Sequence, residues 1–247
     1  MKASTQNTIS TNESRYKCDL CRDTTWIKGD SGMKRCNCFK NESIERLWKN
    51  FGVNLSDIKL IKEYKAYSIE TEKARNKSII YIKDFHIRRL QKEHSICFLG
   101  QSGAGKTHLA LAIGKALIDK KQKVVYMPYL EMIKELKNLA LDKVEYEKTI
   151  LKYKNADVLI IDDLFKDKVR GGKLIGELTE ADLKHIYTII NYRYLNKMPL
   201  IISSECSPEM LLDLDEATGG RILEMAGPKG TIIFNGQCNY RLKEFEA

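Results

Sequence analysis

The chain has 247 residues, 43% hydrophobic and 30% charged, with a formal net charge of +9. That length supports one well-buried core with room for a small satellite module. No run of about 18 apolar residues occurs, and the polar start, MKASTQNTISTNESRYK, lacks the apolar centre of a secretory signal. No membrane partner is expected, and the chain reads as soluble and cytoplasmic.

Residues 1–15, rich in Ser, Thr and Asn, are expected to form a disordered tail. Four of the seven cysteines follow at once: Cys18, Cys21, Cys36 and Cys38. In a reducing compartment such a crowd of thiols points to metal before disulfides. Cys-x₂-Cys, then fourteen residues, then Cys-x-Cys offers four thiolates. Tetrahedral Zn²⁺ takes four such ligands at about 2.3 Å, and its binding can stand in for a core too small to fold alone. A redox pair or plain free thiols are the alternatives. Residues 16–45 are therefore expected to be a small zinc-binding N-terminal module. Cys97, Cys206 and Cys238 stand apart and read as small buried hydrophobes.

From Ile44 to Leu90 the pattern is charged and helical, broken near Gly52–Asn54, so residues 46–90 read as a helical linker. Residues 1–98 carry 20 Lys and Arg against 12 Asp and Glu, whereas residues 99–247 carry 22 against 21. The positive charge thus belongs to the N-terminal part. Solvated lysine-rich helix faces account for it, as does a docking surface for nucleic acid or an acidic partner.

Beyond residue 91 strands and helices alternate, which predicts a parallel sheet covered on both sides. Ser95–Leu99 is a short apolar strand, and a helix follows with Leu109, Ala112, Ile113, Ala116 and Leu117 on one face. Lys123–Met127 is a second strand, and Ala156–Ile161 is a continuous apolar run suited to burial on both faces. Lys166–Lys173 is basic and glycine-containing; it reads as a mobile loop, either simply solvated or contacting single-stranded DNA phosphates. Thr179 with Asp182 opens a helix whose inner side should carry Leu183, Ile186, Tyr187, Ile190 and Tyr194. Pro199 ends it. Leu200–Ser203 is a strand, Ser207-Pro208 starts another helix, and Thr231–Phe234 is the last strand.

Between the first strand and its helix, Gly100-Gln101-Ser102-Gly103-Ala104-Gly105-Lys106-Thr107 matches G-x-x-x-x-G-K-[ST] in full. The glycines let the backbone curl, so that successive N–H groups and the positive end of the helix face phosphate oxygens. Lys106 can reach the β- and γ-phosphates, and the Thr107 hydroxyl can ligate Mg²⁺. His108, the next residue, completes the expected ATP-binding set. Val158–Ile161 then delivers Asp162 and Asp163 to the carboxyl end of a buried strand, where ligands of open α/β sheets bind. Asp162 is expected to hold Mg²⁺ and Asp163 to orient or deprotonate a water. Asp is one methylene shorter than the Glu common there, so hydrolysis should be slow. Ser204, ending a neighbouring strand, is the candidate to reach between the γ-phosphate and that water.

These elements, GQSGAGKTHLALAIGKAL, VLIIDDLF, IINYRYLNKMPLIISSECSPEML, DLDEATGGRILEM and NYRL, resemble the AAA+ ATPases. They are most similar to the DnaC/DnaI-type replicative helicase loaders of bacteria and phages, over roughly residues 60–247. The cysteine cluster looks like the zinc-binding start of some of those loaders. The resemblance implies a P-loop AAA+ three-layer αβα fold and self-association through the ATP site. It also implies a replicative DNA helicase and single-stranded DNA as partners. It makes Arg221 the arginine finger inserted into a neighbour's site, and Arg241 the sensor arginine facing the chain's own nucleotide. One departure stands out: the second arginine often found four residues after the first is Met225 here, with Arg193 a possible substitute. A transposition helper of the IstB type shares nearly the same ATPase module and is the alternative.

Overall fold

The computed structural model describes Tyr16, residues 18–29 and 32–235, Asn239 and Tyr240. The expected tail at 1–15, Cys238 and Arg241 lie outside the described residues. The chain divides into two units, residues 1–43 and 44–247.

In the first unit, β1 (Trp26–Gly29) and β2 (Gly32–Arg35) pair antiparallel, with Trp26 opposite Arg35. The Arg35 guanidinium lies 4.0 Å from the centre of the Trp26 ring and 4.3 Å from that of Phe39. Helix α1 (Asn37–Lys49) begins directly after Cys36.

The second unit is built on five parallel strands: β3 (Ile96–Gly100), β4 (Val124–Pro128), β5 (Val158–Leu164), β8 (Leu200–Ser204) and β9 (Thr231–Phe234), in the order β4-β5-β8-β3-β9. Side chains alternate across a strand, and both faces are filled. Cys97, Leu99, Val125, Met127, Leu159, Ile161, Leu200 and Ile202 point to one side. There they meet α4 (Tyr129–Asn138), α5 (Lys143–Lys154), α6 (Glu180–Leu195), α7 (Pro208–Leu214) and α8 (Glu216–Gly230, broken at Gly227). Ile96, Phe98, Val124, Tyr126, Val158, Ile160 and Ile232 point to the other, against α3 (Lys106–Asp119) and α2 (Ile69–Arg88). Burial on two sides explains the unbroken apolar runs in the sequence. The result is a three-layer α/β fold.

Three expectations need correcting. Residues 46–90, read as a helical linker, contribute to the second unit. Trp48 is fully buried with its indole N–H donating to the Val124 carbonyl (3.1 Å), and Tyr81 is buried with its hydroxyl on the His94 carbonyl (2.9 Å). The basic stretch after β5 is not an irregular loop: a 3-10 turn at Lys166–Lys168 leads into a hairpin, β6 (Val169–Arg170) against β7 (Lys173–Leu174), turning at Gly171–Gly172 with φ of 58° and 74°. Helix α6 is capped by Thr179, whose hydroxyl accepts the Asp182 N–H (3.2 Å), but its buried face is turned from the expected one. Asp182, His185, Ile186, Ile189, Ile190 and Arg193 point inward, while Leu183, Tyr187 and Tyr194 are half-buried.

Candidate nucleotide site

Strand β3 enters the phosphate loop through Gly100, whose φ is 100° and where a Cβ would fall 2.4 Å from the Phe234 carbonyl oxygen on β9. Gly105 (φ 82°) is the N-cap of α3, and a Cβ there would meet the Tyr64 ring at 3.0 Å. Lys106 folds back over the loop. Its Nζ donates to the carbonyls of Gly100 (2.8 Å) and Gln101 (2.6 Å). Burial pushes the ammonium down to about 8, against the opposing pull of Glu205 and Asp163.

Around this loop stand residues that the sequence reading did not single out. The Tyr64 hydroxyl donates to the Ala104 carbonyl (2.9 Å), and Tyr67 donates to that of Gly103 (3.3 Å). Tyr240 donates its backbone N–H to the same Gly103 oxygen (3.2 Å). Tyr64 packs on the His108 ring and Tyr67 on Tyr240, each pair with centres 5.5 Å apart. His108 is half-buried, and burial depresses its basicity. The paired tyrosines of EYKAY were the available sequence signal, hidden within a charged segment.

At the carboxyl end of β5, Asp162 is buried and fully engaged. One carboxylate oxygen accepts from the Thr107 hydroxyl (2.9 Å) and from the Ser203 hydroxyl; the other accepts from the Tyr126 hydroxyl (2.9 Å). Asp163 follows in a left-handed conformation (φ 52°), where the β5–β8 register slips between Ile161 and Leu164. Such a bulge re-aims a side chain, and non-glycine residues adopt this φ rarely. The backbone N–H of Asp163 donates to Ser203 Oγ (3.0 Å). Its half-buried carboxyl is pushed upward by burial and then by the Asp162 charge, against the pull of Lys166 and Lys106.

Ser204 is not the hydroxyl that meets this pair. It donates to the Leu164 carbonyl (2.6 Å) and accepts from the Cys206 N–H (3.1 Å), turned away by the strand's alternation. Ser203, one residue earlier, faces the aspartates. Glu205, directly after β8, was also missed. It forms an ion pair with Lys166; burial pushes its carboxyl up, but the hydrogen bond from Lys166 outweighs this and holds it low.

Arg221 and Arg193 make their contacts away from the loop. Arg221 is half-buried between α6 and α8: its Nε donates to Asn191 Oδ1 (3.0 Å), its Nη1 to the Ala217 carbonyl (2.8 Å), and it lies over the rings of Tyr187 and Tyr194. Arg193 cannot substitute for it. That guanidinium is fully buried, donating to the carbonyls of Tyr153 (2.9 Å), Lys154 (3.1 Å), Ala156 (2.9 Å) and Pro199 (2.7 Å).

In the first unit the sulfurs of Cys18, Cys21, Cys36 and Cys38 lie within 4.8 Å of one another, with 3.8 Å between Cys18 and Cys36 and 3.3 Å between Cys21 and Cys38. All four are free thiols. Four sulfurs about 2.3 Å from one ion stand roughly 3.8 Å apart, so this donor set fits a tetrahedral metal. Cys18 is pulled down to about 7, chiefly by the backbone N–H of Cys21.

The loop geometry and the Thr107–Asp162 contact likewise fit a magnesium nucleotide: curled backbone and a lysine for phosphates, a hydroxyl and a carboxylate for the metal. Residues 40–210 match the family described as IstB-like ATP binding protein. The chain is 36% identical to the Bacillus subtilis protein YqaM over 225 residues, covering 88% of this chain and 69% of that one. It is 33% identical to the phage-like element PBSX protein XkdC of Bacillus subtilis over 242 residues, covering 93% and 88%. The crystal structure of the DnaC helicase loader superposes with a TM-score of 0.57 at 24% identity, covering 77% of this chain and 99% of that one, which speaks for the fold. The phosphate loop, the acidic strand end and this match together place the chain in the IstB-like ATP-binding protein family, on a P-loop AAA+ fold.

Proposed function

We propose that the chain is an ATP-hydrolysing loader of a replicative helicase, using nucleotide binding and slow turnover as a switch. The observation that carries this reading is the convergence of Thr107, Asp162 and Asp163 behind a complete phosphate loop, in a chain that also gathers four thiols. A bound magnesium nucleotide supplies an electrophilic γ-phosphorus and a metal that draws charge from it. Lys106 exchanges its two loop carbonyls for phosphate oxygens, while Thr107 and Asp162 hold the metal. Ser203 and Tyr126 keep the Asp162 carboxylate in one orientation. Asp163, its basicity raised by burial, orients a water and accepts its proton at the carboxylate. Arg221 serves a neighbouring subunit, held by Asn191 on the α6–α8 face; Arg241 serves the chain's own site.

The four cysteines hold a structural Zn²⁺, closed to substrate, in a module that grips the helicase. The exposed Arg170 and Lys173 at the tip of the hairpin contact single-stranded DNA phosphates. Among the described residues no helix is long and apolar enough to cross a membrane.

The test is capture of a replicative helicase by the full chain, with and without ATP, beside a Lys106→Ala variant. Loading should require ATP and fall at least tenfold in the variant. Undiminished ATP-dependent loading by Lys106→Ala would refute the reading. The family match itself favours a second reading, a transposition helper of the IstB type; capture of a transposase on double-stranded DNA, with no helicase bound, would select it.

A further inference from the structure

Three residues after Asp163, the chain presents a cation that the nucleotide chemistry above leaves unused. Asp163 (φ 52°) and Phe165 (φ 59°) are both left-handed, so the backbone leaving β5 folds back sharply. That turn brings Lys166 to the end of β8, where it pairs with Glu205. The Glu205 side chain is only 13% exposed. Ser204, just before it, lies opposite Leu99 on β3, and the carbonyl of Cys206, just after it, accepts the Gly100 N–H (3.0 Å) at the start of the phosphate loop, so the Glu205 charge acts on Lys106. Lys106, Lys166 and Asp163 all influence one another electrostatically, so they share one neighbourhood. Half-buried beside a phosphate loop, an acid is an anomaly: its charge opposes the ligand. The pairing with Lys166 resolves it, since the lysine neutralises Glu205 until a stronger anion arrives.

Resting on the nucleotide-site reading, we propose that Lys166 is a second cation for the terminal phosphate of a nucleoside triphosphate, held ready by Glu205 as a positioning residue. Arrival of the γ-phosphate transfers Lys166 from the carboxylate to the phosphate. A diphosphate ends too early to take it. Because Lys166 opens the turn that leads into the β6–β7 hairpin, that exchange marks the hairpin with the nucleotide state.

The experiment is calorimetric binding of magnesium ADP and of a non-hydrolysable magnesium ATP analogue to the full chain and its variants. Lys166→Ala should weaken the analogue about tenfold, the worth of one charge-assisted contact, and ADP less than about twofold. Lys166→Arg should restore most of the loss. Glu205→Gln, which removes the competing carboxylate, should tighten the analogue severalfold and leave ADP unchanged; it decides the matter alone if Lys166→Ala does not fold. Equal shifts for both nucleotides, or an analogue weakened by Glu205→Gln, would overturn the proposal and leave the pair a scaffold. A wild-type chain that bound neither nucleotide would overturn the underlying site reading as well.

Discussion

Residues 18–43 and 44–234 withdraw different chemistry from water. In the first stretch the buried side chains among those described are Cys21 and Cys36. In the second, two extensive clusters of aliphatic and aromatic residues fill both faces of the sheet. A fully buried Leu, Ile or Phe contributes about 1.5–3 kcal/mol, so the second region is held by many such terms. The first has almost none, and four converging sulfurs occupy the place of a core. The way to break this contrast most sharply is to challenge the zinc proposed for these four cysteines. Structural zinc contributes on the order of 10 kcal/mol or more to modules of this size. A strong chelator, or Cys36→Ser, should abolish hydrogen-exchange protection in peptides spanning 18–36 while peptides from β3, β5 and β8 keep theirs. Retained protection at 18–36 with no metal bound would show that the hairpin folds without it.

The same contrast governs what could be read in advance. Strands buried on both faces must be apolar throughout, so β3 and β8 were legible to within a residue and β5 to within three. The phosphate loop was legible because its backbone demands glycines at fixed spacing. Side chains whose burial depends on a distant partner were not. Asp182, His185 and Arg193 are polar, and periodicity turned them outward on α6. In the fold Lys137 meets Asp182 (2.6 Å), Tyr146 meets His185 (2.9 Å), and backbone carbonyls meet Arg193. The bulge at Asp162–Asp163 belongs to two strands together, and so does the choice of Ser203 over Ser204. Trp48, Tyr64 and Tyr81 were concealed by charged neighbours. Two-residue strands such as β6 and β7 leave no periodic trace at all.

Arg193 offers the next largest test, because its guanidinium is fully buried among the packed layers. Its guanidinium ties the end of α5 and Ala156, just before β5, to Pro199, just before β8, through four carbonyls. Burial pushes it down to about 9. Arg193→Ala would strand those carbonyls in a closed space, and chemical denaturation should register a loss of about 3–5 kcal/mol. Arg193→Lys should fall between, since an ammonium cannot reproduce the planar fork. A loss below about 1 kcal/mol would mean that water or a local shift satisfies the carbonyls.

A smaller effect sits at the start of β3 and separates the two regions by pH. His94 is buried; its Nδ1 lies 3.1 Å from Ser95 Oγ, and its carbonyl accepts from Tyr81. Burial, and then the positive charges of Arg193 and Lys197, hold the imidazole down to about 4, against 6.5 ordinarily. Above pH 6.5 the ring is neutral in both folded and unfolded chains and contributes no pH dependence. Between 6.5 and 4 the unfolded chain takes up a proton that the folded chain refuses, so stability falls as pH falls, by up to about 1.4 kcal/mol per pH unit and roughly 3 kcal/mol in all. Below 4 both states carry the proton and this loss is complete. His108 and His185 are also depressed and act in the same direction, so the quantity to measure is a difference between proteins. In a Trp26→Phe background, the fluorescence of the buried Trp48 reports the second region alone. Denaturation midpoints of that protein and of its His94→Gln derivative, taken from pH 7 to pH 4, should diverge, the derivative losing less stability on acidification. Parallel curves would place the acid sensitivity of this region at the other histidines and the carboxylates, and not at His94.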